Sequence, residues 1–241
     1  MDFAFLSETT RALLGGVPLT LQLAALSTAL GAGIALILAS MRASGIAPLA
    51  WTARLYVFLF RGSPLLVQIY LIYYGLSQFH DIRSSFAWPL LREPYACAVL
   101  ALMLNTGAYG SEIIRGGLMS VPHGQIEAAR ACGMSKSLTL RRITLPLAFR
   151  QALPAYGNEL ILMVKSTSLA SIITLMEITG VAAKIISETY RAIEVFVVAG
   201  AIYLAINFLL TRVVMGLEHW LTPHLRQRPG PSGVSTQGTR A

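Results

Sequence analysis

The stretch VPLTLQLAALSTALGAGIALILASM, from Val17 to Met41, contains no charged side chain. A helix that crosses the hydrocarbon core of a bilayer needs about 20 mostly apolar residues, so this stretch is long enough to span a membrane. The composition agrees, because 55% of the 241 residues are hydrophobic, only 12% are charged, and the mean hydropathy is +0.62. Soluble domains carry about 25% charged residues. The composition therefore indicates an integral membrane protein and excludes a disordered chain.

Four further apolar runs predict an all-α integral membrane protein with five transmembrane helices. These runs are Gly62 to Phe79, Pro94 to Ser111, Ala155 to Met176 and Val195 to Thr211. The run from Ala155 is the least uniform, since it contains Glu159 and Lys165. In the first span, Gly31 and Gly33 predict a close contact with another helix, because small residues let membrane helices approach one another.

The basic residues are distributed unevenly between the predicted loops. If the N-terminus lies outside, the cytoplasmic segments contain 13 Lys and Arg residues and the outer segments contain five. Cytoplasmic loops carry the excess of Lys and Arg, so we predict an outer N-terminus and a cytoplasmic C-terminus. The net charge of +8 then belongs to the loops, and nucleic-acid binding is not expected. Cys97 and Cys132 fall on opposite sides of the membrane, which excludes a disulfide between them.

The cytoplasmic loop between the third and fourth spans, residues 115–154, is predicted to be structured. Its apolar residues recur at helical spacing on both sides of Gly133. Gly133 permits the positive φ of a turn, and Ser135 is placed to cap a second helix. We expect Leu145-Pro146 to end that helix, because the residue before a proline avoids helical geometry.

The same loop carries a recognisable spacing, which is Glu127-Ala128-Ala129, three residues, Gly133, nine residues, and Ile143-Thr144-Leu145-Pro146. This pattern resembles the EAA loop in the membrane subunits of bacterial ABC importers. The surrounding segments are similar to the polar-amino-acid branch of that family, the permeases for histidine, arginine and opines, and in particular to its M-type subunit. These segments are RGSPLLVQIYLIYYG at 61–75, LNTGAYGSEI at 104–113, SVPHGQIEAARACGMS at 120–135 and ALPAYGNELILMVKSTSLA at 152–170.

The resemblance implies the type I ABC-importer transmembrane fold over residues 15–222, preceded by a periplasmic segment at 1–14 and followed by a disordered cytoplasmic tail at 223–241. It also implies that the first helix of the loop docks on a cytoplasmic ATPase. The residues expected to couple the two subunits are Glu127, Ala128, Ala129, Gly133, Ile143, Leu145 and Pro146. The alternative interpretation is an ordinary pair of surface helices in which Glu127 is solvated.

The chain has no nucleotide-binding motif of its own, because the pattern Gly-x-x-x-x-Gly-Lys-Ser/Thr is absent from the sequence. We therefore expect a transport subunit that is not an enzyme and holds no cofactor, with ATP and Mg²⁺ bound by a partner ATPase dimer. The resemblance implies two further partners, a second permease that is identical or homologous, and a periplasmic substrate-binding protein. It implies the bacterial inner (cytoplasmic) membrane as the location.

Polar side chains at membrane depth are unfavourable and usually face the interior of a helix bundle or water. Two predicted spans carry such side chains on one helix face, and these are candidates for the substrate pathway. They are Asn105, Tyr109 and Glu112 in the third span, and Asn158, Glu159, Lys165, Ser166 and Ser168 in the fourth. A zwitterionic amino acid would offer its carboxylate to Lys165 and a cationic group to Glu159.

These residues also have structural interpretations that stay open at this point. In the alternative interpretation, Glu159 lies at the cytoplasmic interface. Lys165 would then pair with backbone carbonyls or with a neighbouring helix. The polar residues of the third span alternatively form hydrogen bonds between helices, which contribute about 0.6 kcal/mol each.

The predicted function is the permease subunit of an ATP-driven importer for polar, in particular basic, amino acids or opines, working by alternating access. The alternative is a secondary transporter driven by an ion gradient, with proton coupling through Glu159 or Glu112. A membrane-embedded enzyme is nearly excluded, since no cluster of His, Asp and Ser or Cys falls at membrane depth. The sequence does not choose between arginine, histidine, octopine and glutamine as the substrate.

Overall fold

A computed structural model describes residues 3–221 of the chain. The predicted tail at 223–241 lies outside the described residues. Residues 3–221 form helices and no strand. The α-helices are α1 (Phe3–Leu14), α2 (Val17–Ala43), α3 (Ala47–Gly62), α4 (Leu65–Tyr70), α5 (His80–Arg83), α6 (Trp88–Leu91), α7 (Pro94–Met119), α8 (His123–Ala131), α9 (Lys136–Thr139), α10 (Leu145–Ser166), α11 (Ile178–Thr189) and α12 (Ala192–Leu221). Two π turns (Leu71–Gly75 and Leu140–Thr144) and two 3-10 segments (Leu76–Gln78 and Thr167–Ile173) continue α4, α9 and α10.

Helices α2 and α7 pack closely against each other. A Cβ on Gly31 would lie 2.8 Å from Cβ of Thr106, and a Cβ on Gly107 would lie 2.5 Å from Cγ2 of Ile34. Neither glycine has room for a side chain, so the close contact predicted for Gly31 is confirmed. The same prediction for Gly33 is wrong, because a Cβ there would have no neighbour within 4 Å.

Helix α10 packs on both α7 and α12, and a buried carboxylate joins α11 to α12. Glu177 precedes α11 and accepts hydrogen bonds from the N–H groups of Thr179 at 2.9 Å and Gly180 at 2.8 Å. The hydroxyl of Tyr203 in α12 donates to the same carboxylate at 2.7 Å. Glu177 is fully buried, so these three donors supply the partners that water would otherwise provide.

By length and composition, three helical stretches can cross a bilayer, namely Phe3–Ala43, Pro94–Met119 and Ala192–Leu221. Two bent helix pairs raise this number to five within residues 3–221. One pair joins Ala47–Gly62 to Leu65–Gln78 at 103°, and the other joins Lys136–Ile173 to Ile178–Thr189 at 46°. The predicted all-α membrane fold is confirmed. The number of spans is five, as predicted, if each bent pair is counted as one span.

The second predicted span, Gly62 to Phe79, is wrong as a single helix. Residues 47–62 already form α3, which continues past Arg54 and Arg61 before the chain bends. These two arginines interrupt the apolar run, so hydropathy alone places the start of the span about one helix too late.

Leu145-Pro146 does not end the second helix of the loop, contrary to the prediction. Instead α9 continues through the π turn at Leu140–Thr144 into α10, and Pro146 lies in the first turn of α10. Proline is tolerated there because the first N–H groups of an α-helix have no partner within the helix. The π turn shifts the hydrogen-bond pattern just before the proline, so the helical path continues. Helix α10 starts before the predicted Ala155 and contains Pro154 in its interior.

The turn between the two loop helices forms as predicted. Gly133 has a φ of +78°. Its N–H donates to the carbonyl of Arg130 at 2.9 Å, and the N–H of Met134 donates to the carbonyl of Ala129 at 3.1 Å. This pair of bonds is the Schellman motif that closes a helix on a left-handed residue. Ser135 caps α9, since its hydroxyl accepts a backbone hydrogen bond at 3.3 Å.

Candidate functional site

The helical path breaks between α3 and α4. Ser63 has extended backbone angles, with φ −108° and ψ 144°, and Pro64 follows with φ −63°. Because proline disfavours helical geometry in the residue before it, Ser63 ends α3 and the chain bends by 103°. Irregular backbone at membrane depth is tolerated only where it is buried in protein or lines a water-filled cavity. The break is therefore a place where a polar site is expected.

Two amide side chains satisfy the backbone at this break. Nε2 of Gln68 donates to the carbonyls of Phe60 at 2.9 Å and Ser63 at 3.1 Å. Nδ2 of Asn105, near the middle of α7, donates to Oε1 of Gln68 at 3.1 Å and to the Phe60 carbonyl at 3.3 Å. Gln68 is only 6% exposed, so these bonds replace water at carbonyls that the end of α3 leaves open.

A cavity of about 430 Å³ opens beside the break, between α3, α4, α7 and α10. Its polar lining consists of Arg61, Ser63, Asn105, Tyr109, Glu159 and Ser166. A mostly apolar wall with a few convergent polar groups is typical of a site for a small molecule. Within residues 3–221, no group of three or more His, Cys, Asp or Glu side chains is arranged to hold a metal ion.

The two charged groups of this cavity have opposite signs. Glu159 is 9% exposed, and its carboxylate makes no hydrogen bond or ion pair with any residue in the described range 3–221. The guanidinium of Arg61 lies over the ring of Tyr109, with Cζ 5.0 Å from the ring centroid. A carboxylate removed from water without a partner is unfavourable. The positive charge of Arg61 attracts Glu159 without forming an ion pair with it. A cationic group of a bound molecule would supply the hydrogen-bonding partner that Glu159 lacks, while Arg61 would attract an anionic group.

The structure brings together four of the eight residues predicted for the substrate pathway, which are Asn105, Tyr109, Glu159 and Ser166. Glu159 is buried beside the cavity and is not a solvent-exposed residue of a helix end. The other four do not line the cavity: Glu112, Asn158, Lys165 and Ser168.

These four residues have different surroundings. Glu112 forms ion pairs with Arg42 and with Arg115, the latter at 2.7 Å, near the end of α7. Asn158 and Lys165 are exposed on α10. The hydroxyl of Ser168 donates to the backbone carbonyl of Lys165 at 2.6 Å.

Sequence reasoning missed Arg61 and Ser63 as cavity residues. Arg61 interrupts the apolar run, so the run alone places it outside the predicted span Gly62 to Phe79. The signal was nevertheless present, since Gly62-Ser63-Pro64 lies between two apolar segments. A proline after small polar residues in such a position marks a broken helix, and a broken helix at membrane depth has to line protein or a cavity.

The predicted coupling residues form a largely exposed surface on α8 and the turn that follows it. Glu127, Ala128 and Gly133 are exposed, whereas Ala129 points inward and is 7% exposed. The carboxylate of Glu127 makes no ion pair with another residue of the described range. The three remaining candidates lie at the start of α10 or just before it: Ile143 is half-buried, and Leu145 and Pro146 are exposed. Small residues and one unpaired carboxylate, on a helix that ends in a closed turn, are compatible with a protein partner.

Comparisons with known proteins agree with this arrangement. Residues 21–223 match the family described as binding-protein-dependent transport system inner membrane component. The octopine transport system permease protein OccM of Rhizobium radiobacter is 62% identical over 225 residues, which cover 93% of this chain and 92% of that protein. The nopaline transport system permease protein NocM of Agrobacterium fabrum is 54% identical over 231 residues, which cover 95% of this chain and 96% of that protein.

A solved structure shows the same fold. A chain in the crystal structure of an amino acid ABC transporter with histidines superposes with a TM-score of 0.83 at 34% identity, covering 91% of this chain and 99% of that one. None of these relatives supports a transporter driven by an ion gradient.

Proposed function

The chain belongs to the family of binding-protein-dependent transport system inner membrane components, and we propose that it is the permease subunit of an ATP-driven importer for amino acids or opines that carry a positive charge. The observation that carries the choice of substrate is the buried carboxylate of Glu159, which borders the cavity and forms no hydrogen bond or ion pair with residues 3–221, although the positive charge of Arg61 attracts it across the cavity. A cationic substrate neutralises that charge while it passes.

The chemistry of the substrate follows from the two charges of the cavity. Octopine and nopaline, which name the transport systems of the two relatives, each combine a guanidinium with carboxylates. The guanidinium would form paired hydrogen bonds with Glu159, a strong arrangement because both partners are charged. A carboxylate of the same molecule would bind Arg61, and Asn105 and Ser166 would accept or donate the remaining hydrogen bonds. Lys165 is a second candidate for the carboxylate, in a state of the transporter other than this one.

Energy for transport would come from a separate cytoplasmic ATPase dimer that binds ATP and Mg²⁺. The surface around Glu127, Ala128 and Gly133 supports this proposal, because it is exposed and held by a closed turn. The π turn at 140–144 joins the coupling loop to α10 without a flexible linker. Motion of α8 would pass through the closed turn at Gly133 to α9, and from α9 it would reach Glu159 along one helical path. This connection provides a physical route for alternating access.

The rest of the assembly is inferred from family membership and from the charge distribution. One copy of this chain would line part of a passage, so a second permease, identical or homologous, would complete it. A periplasmic binding protein would deliver the substrate. The excess of Lys and Arg in alternate loops supports a bacterial inner-membrane location with the N-terminus outside.

Reconstitution tests this proposal. The permease, its ATPase and its binding protein are assembled in proteoliposomes, and uptake of labelled octopine and arginine is measured. We expect uptake that requires ATP, stops with vanadate and is insensitive to a protonophore. The variant Glu159→Gln should lower uptake at least tenfold, whereas Glu188→Gln, an exposed acid on α11, should not. Protonophore-sensitive uptake without ATP would contradict the importer, and normal uptake by Glu159→Gln would contradict the role of Glu159.

A further inference from the structure

A second, basic cavity lies at the end of the bundle where α2 and α7 end and α3 begins. Its volume is about 300 Å³, and three arginines line it: Arg42 from α2, Arg54 from α3 and Arg115 from α7. Its apolar lining is contributed by Ala39, Ala43, Leu118 and Met119. This cavity shares no residue with the cavity of Glu159.

The arginines of this cavity exceed the acidic groups beside it. Glu112 pairs with Arg42 and with Arg115, whose Nε and Nη2 atoms donate to one carboxylate oxygen at 2.9 Å and 2.7 Å. Arg54 is exposed and makes no ion pair or hydrogen bond with another residue in the range 3–221. Three guanidinium groups thus meet one carboxylate, which leaves two positive charges at the cavity.

The position of Arg54 indicates which anion is available to the cavity. Trp51, Arg54 and Phe58 are three and four residues apart on α3, so they share one helix face. Trp51 is 65% exposed and Phe58 is 73% exposed. A tryptophan beside a basic residue on an otherwise apolar exposed face is typical of the boundary between lipid and water. Arg54 therefore lies where phospholipid headgroups meet the protein.

We propose that Arg42, Arg54 and Arg115 form a binding site for the phosphate-bearing headgroup of an acidic phospholipid. Guanidinium groups bind phosphate oxygens in pairs, and basic pockets between membrane helices bind anionic headgroups. The exposed face of Trp51 and Phe58 would contact the acyl chains of the same lipid. Because Arg42 and Arg115 already form ion pairs with Glu112, Arg54 is the arginine that would contribute most to the preference for an acidic headgroup.

Quenching of tryptophan fluorescence by brominated lipid tests this site in the full chain. Trp88→Phe and Trp220→Phe leave Trp51 as the reporter, because the chain has three tryptophans. The protein is reconstituted in phosphatidylcholine vesicles that contain increasing fractions of brominated phosphatidylglycerol or, separately, brominated phosphatidylcholine. We expect stronger quenching by the acidic lipid. Arg54→Gln should reduce the preference for the acidic lipid about fivefold, the factor expected for one basic residue at a membrane surface.

The matched control is Arg141→Gln, which removes an exposed arginine of the coupling loop and should leave the preference unchanged. Native mass spectrometry of the purified full chain gives a second readout, in which Arg54→Gln should lose co-purified acidic lipid and Arg141→Gln should keep it.

If both lipids quench Trp51 equally in the protein that keeps Arg54, the proposal is overturned. Loss of the preference in millimolar inorganic phosphate would identify free phosphate as the ligand and would overturn it too. An Arg54→Gln variant that keeps its lipids and loses its ATPase would assign the cavity to a protein partner instead.

Discussion

Nδ2 of Asn105 donates to Oε1 of Gln68 at 3.1 Å, which joins the middle of α7 to the first turn after the helix break. Gln68 in turn donates to the carbonyls of Phe60 and Ser63. The two amides form a short chain of hydrogen bonds that gives the carbonyls of Phe60 and Ser63 their donors. This chain fixes the shape of the cavity that Arg61 and Glu159 border.

The amide chain predicts that Asn105→Leu destabilises the protein. Leucine fills a similar volume but leaves Oε1 of the buried Gln68 without its donor, and an unpaired buried acceptor lowers stability by about 1–3 kcal/mol. Thermal unfolding of the purified protein in detergent should therefore show a lower midpoint. The matched control is Asn158→Leu, because Asn158 is exposed on α10. Equal midpoints for the two variants would show that the amide chain has no structural role.

A second prediction concerns the cap of α11. Glu177→Ala removes the acceptor of two backbone N–H groups and of the Tyr203 hydroxyl, all close to a fully buried position. We expect a loss of stability of about 2 kcal/mol, measured as a lower unfolding midpoint. Glu188→Ala, which removes an exposed acid from the same helix, should change the midpoint little. If Glu177→Ala and Glu188→Ala have the same unfolding midpoint, the buried carboxylate is not what joins α11 to α12.

The proposed ATPase-docking surface around Glu127, Ala128 and Gly133 predicts different effects for one substitution at two glycines. Gly133 and Gly124 are both exposed, and a Cβ at either would have no neighbour within 4 Å. Only Gly133 has a positive φ, +78°, and that backbone conformation is unfavourable by about 1–2 kcal/mol for a residue with a Cβ. Gly133→Asp should therefore reduce co-purification of the ATPase or uncouple ATP hydrolysis from transport, and Gly124→Asp should do so less. Normal coupling in Gly133→Asp would argue against the docking surface.

Lys165 provides a separate test of the pathway, because it is exposed on α10 and does not line the cavity of Glu159. A lysine in a membrane span is retained against an insertion penalty of about 2.5–3.5 kcal/mol, so we expect it to have a function. Lys165→Ala should reduce uptake in proteoliposomes while membrane insertion and ATPase binding stay intact. Lys184→Ala, an exposed lysine of α11, is the control. Unchanged uptake by Lys165→Ala would remove this residue from the pathway.

The sequence predicts most of the fold because long apolar runs are a strong and local signal. The runs at α2, α7 and α12 identify three spans directly, and Gly133 and Ser135 identify the turn of the loop. The sequence does not predict α3, since Arg54 and Arg61 lower its apparent hydropathy. Those arginines are tolerated because Arg61 faces a cavity and Arg54 lies on the exposed face of Trp51, and both are properties of the folded bundle.

The sequence predicts only the part of the candidate site that comes from α7 and α10. Residues four or seven apart on one helix share a face, so the sequence predicts Asn105 together with Tyr109, and Glu159 together with Ser166. Arg61 and Ser63 come from a different, broken helix, and their proximity depends on a 103° bend that no periodicity reveals. The same limit applies to Pro146, where a π turn 140–144 allows the helix to continue through a residue that ordinarily ends one.

A pair of serines can show whether substrate passes through the cavity of Arg61 and Glu159. Ser166 and Ser168 are both partly buried and two residues apart, but only Ser166 lines the cavity. In a background that carries Cys97→Ala and Cys132→Ser, the reconstituted complex with Ser166→Cys or Ser168→Cys is exposed to a water-soluble thiol reagent, with and without octopine. If substrate passes through this cavity, octopine should slow labelling of Ser166→Cys several-fold and leave labelling of Ser168→Cys unchanged. Absence of protection in Ser166→Cys, or equal protection in both variants, would contradict it.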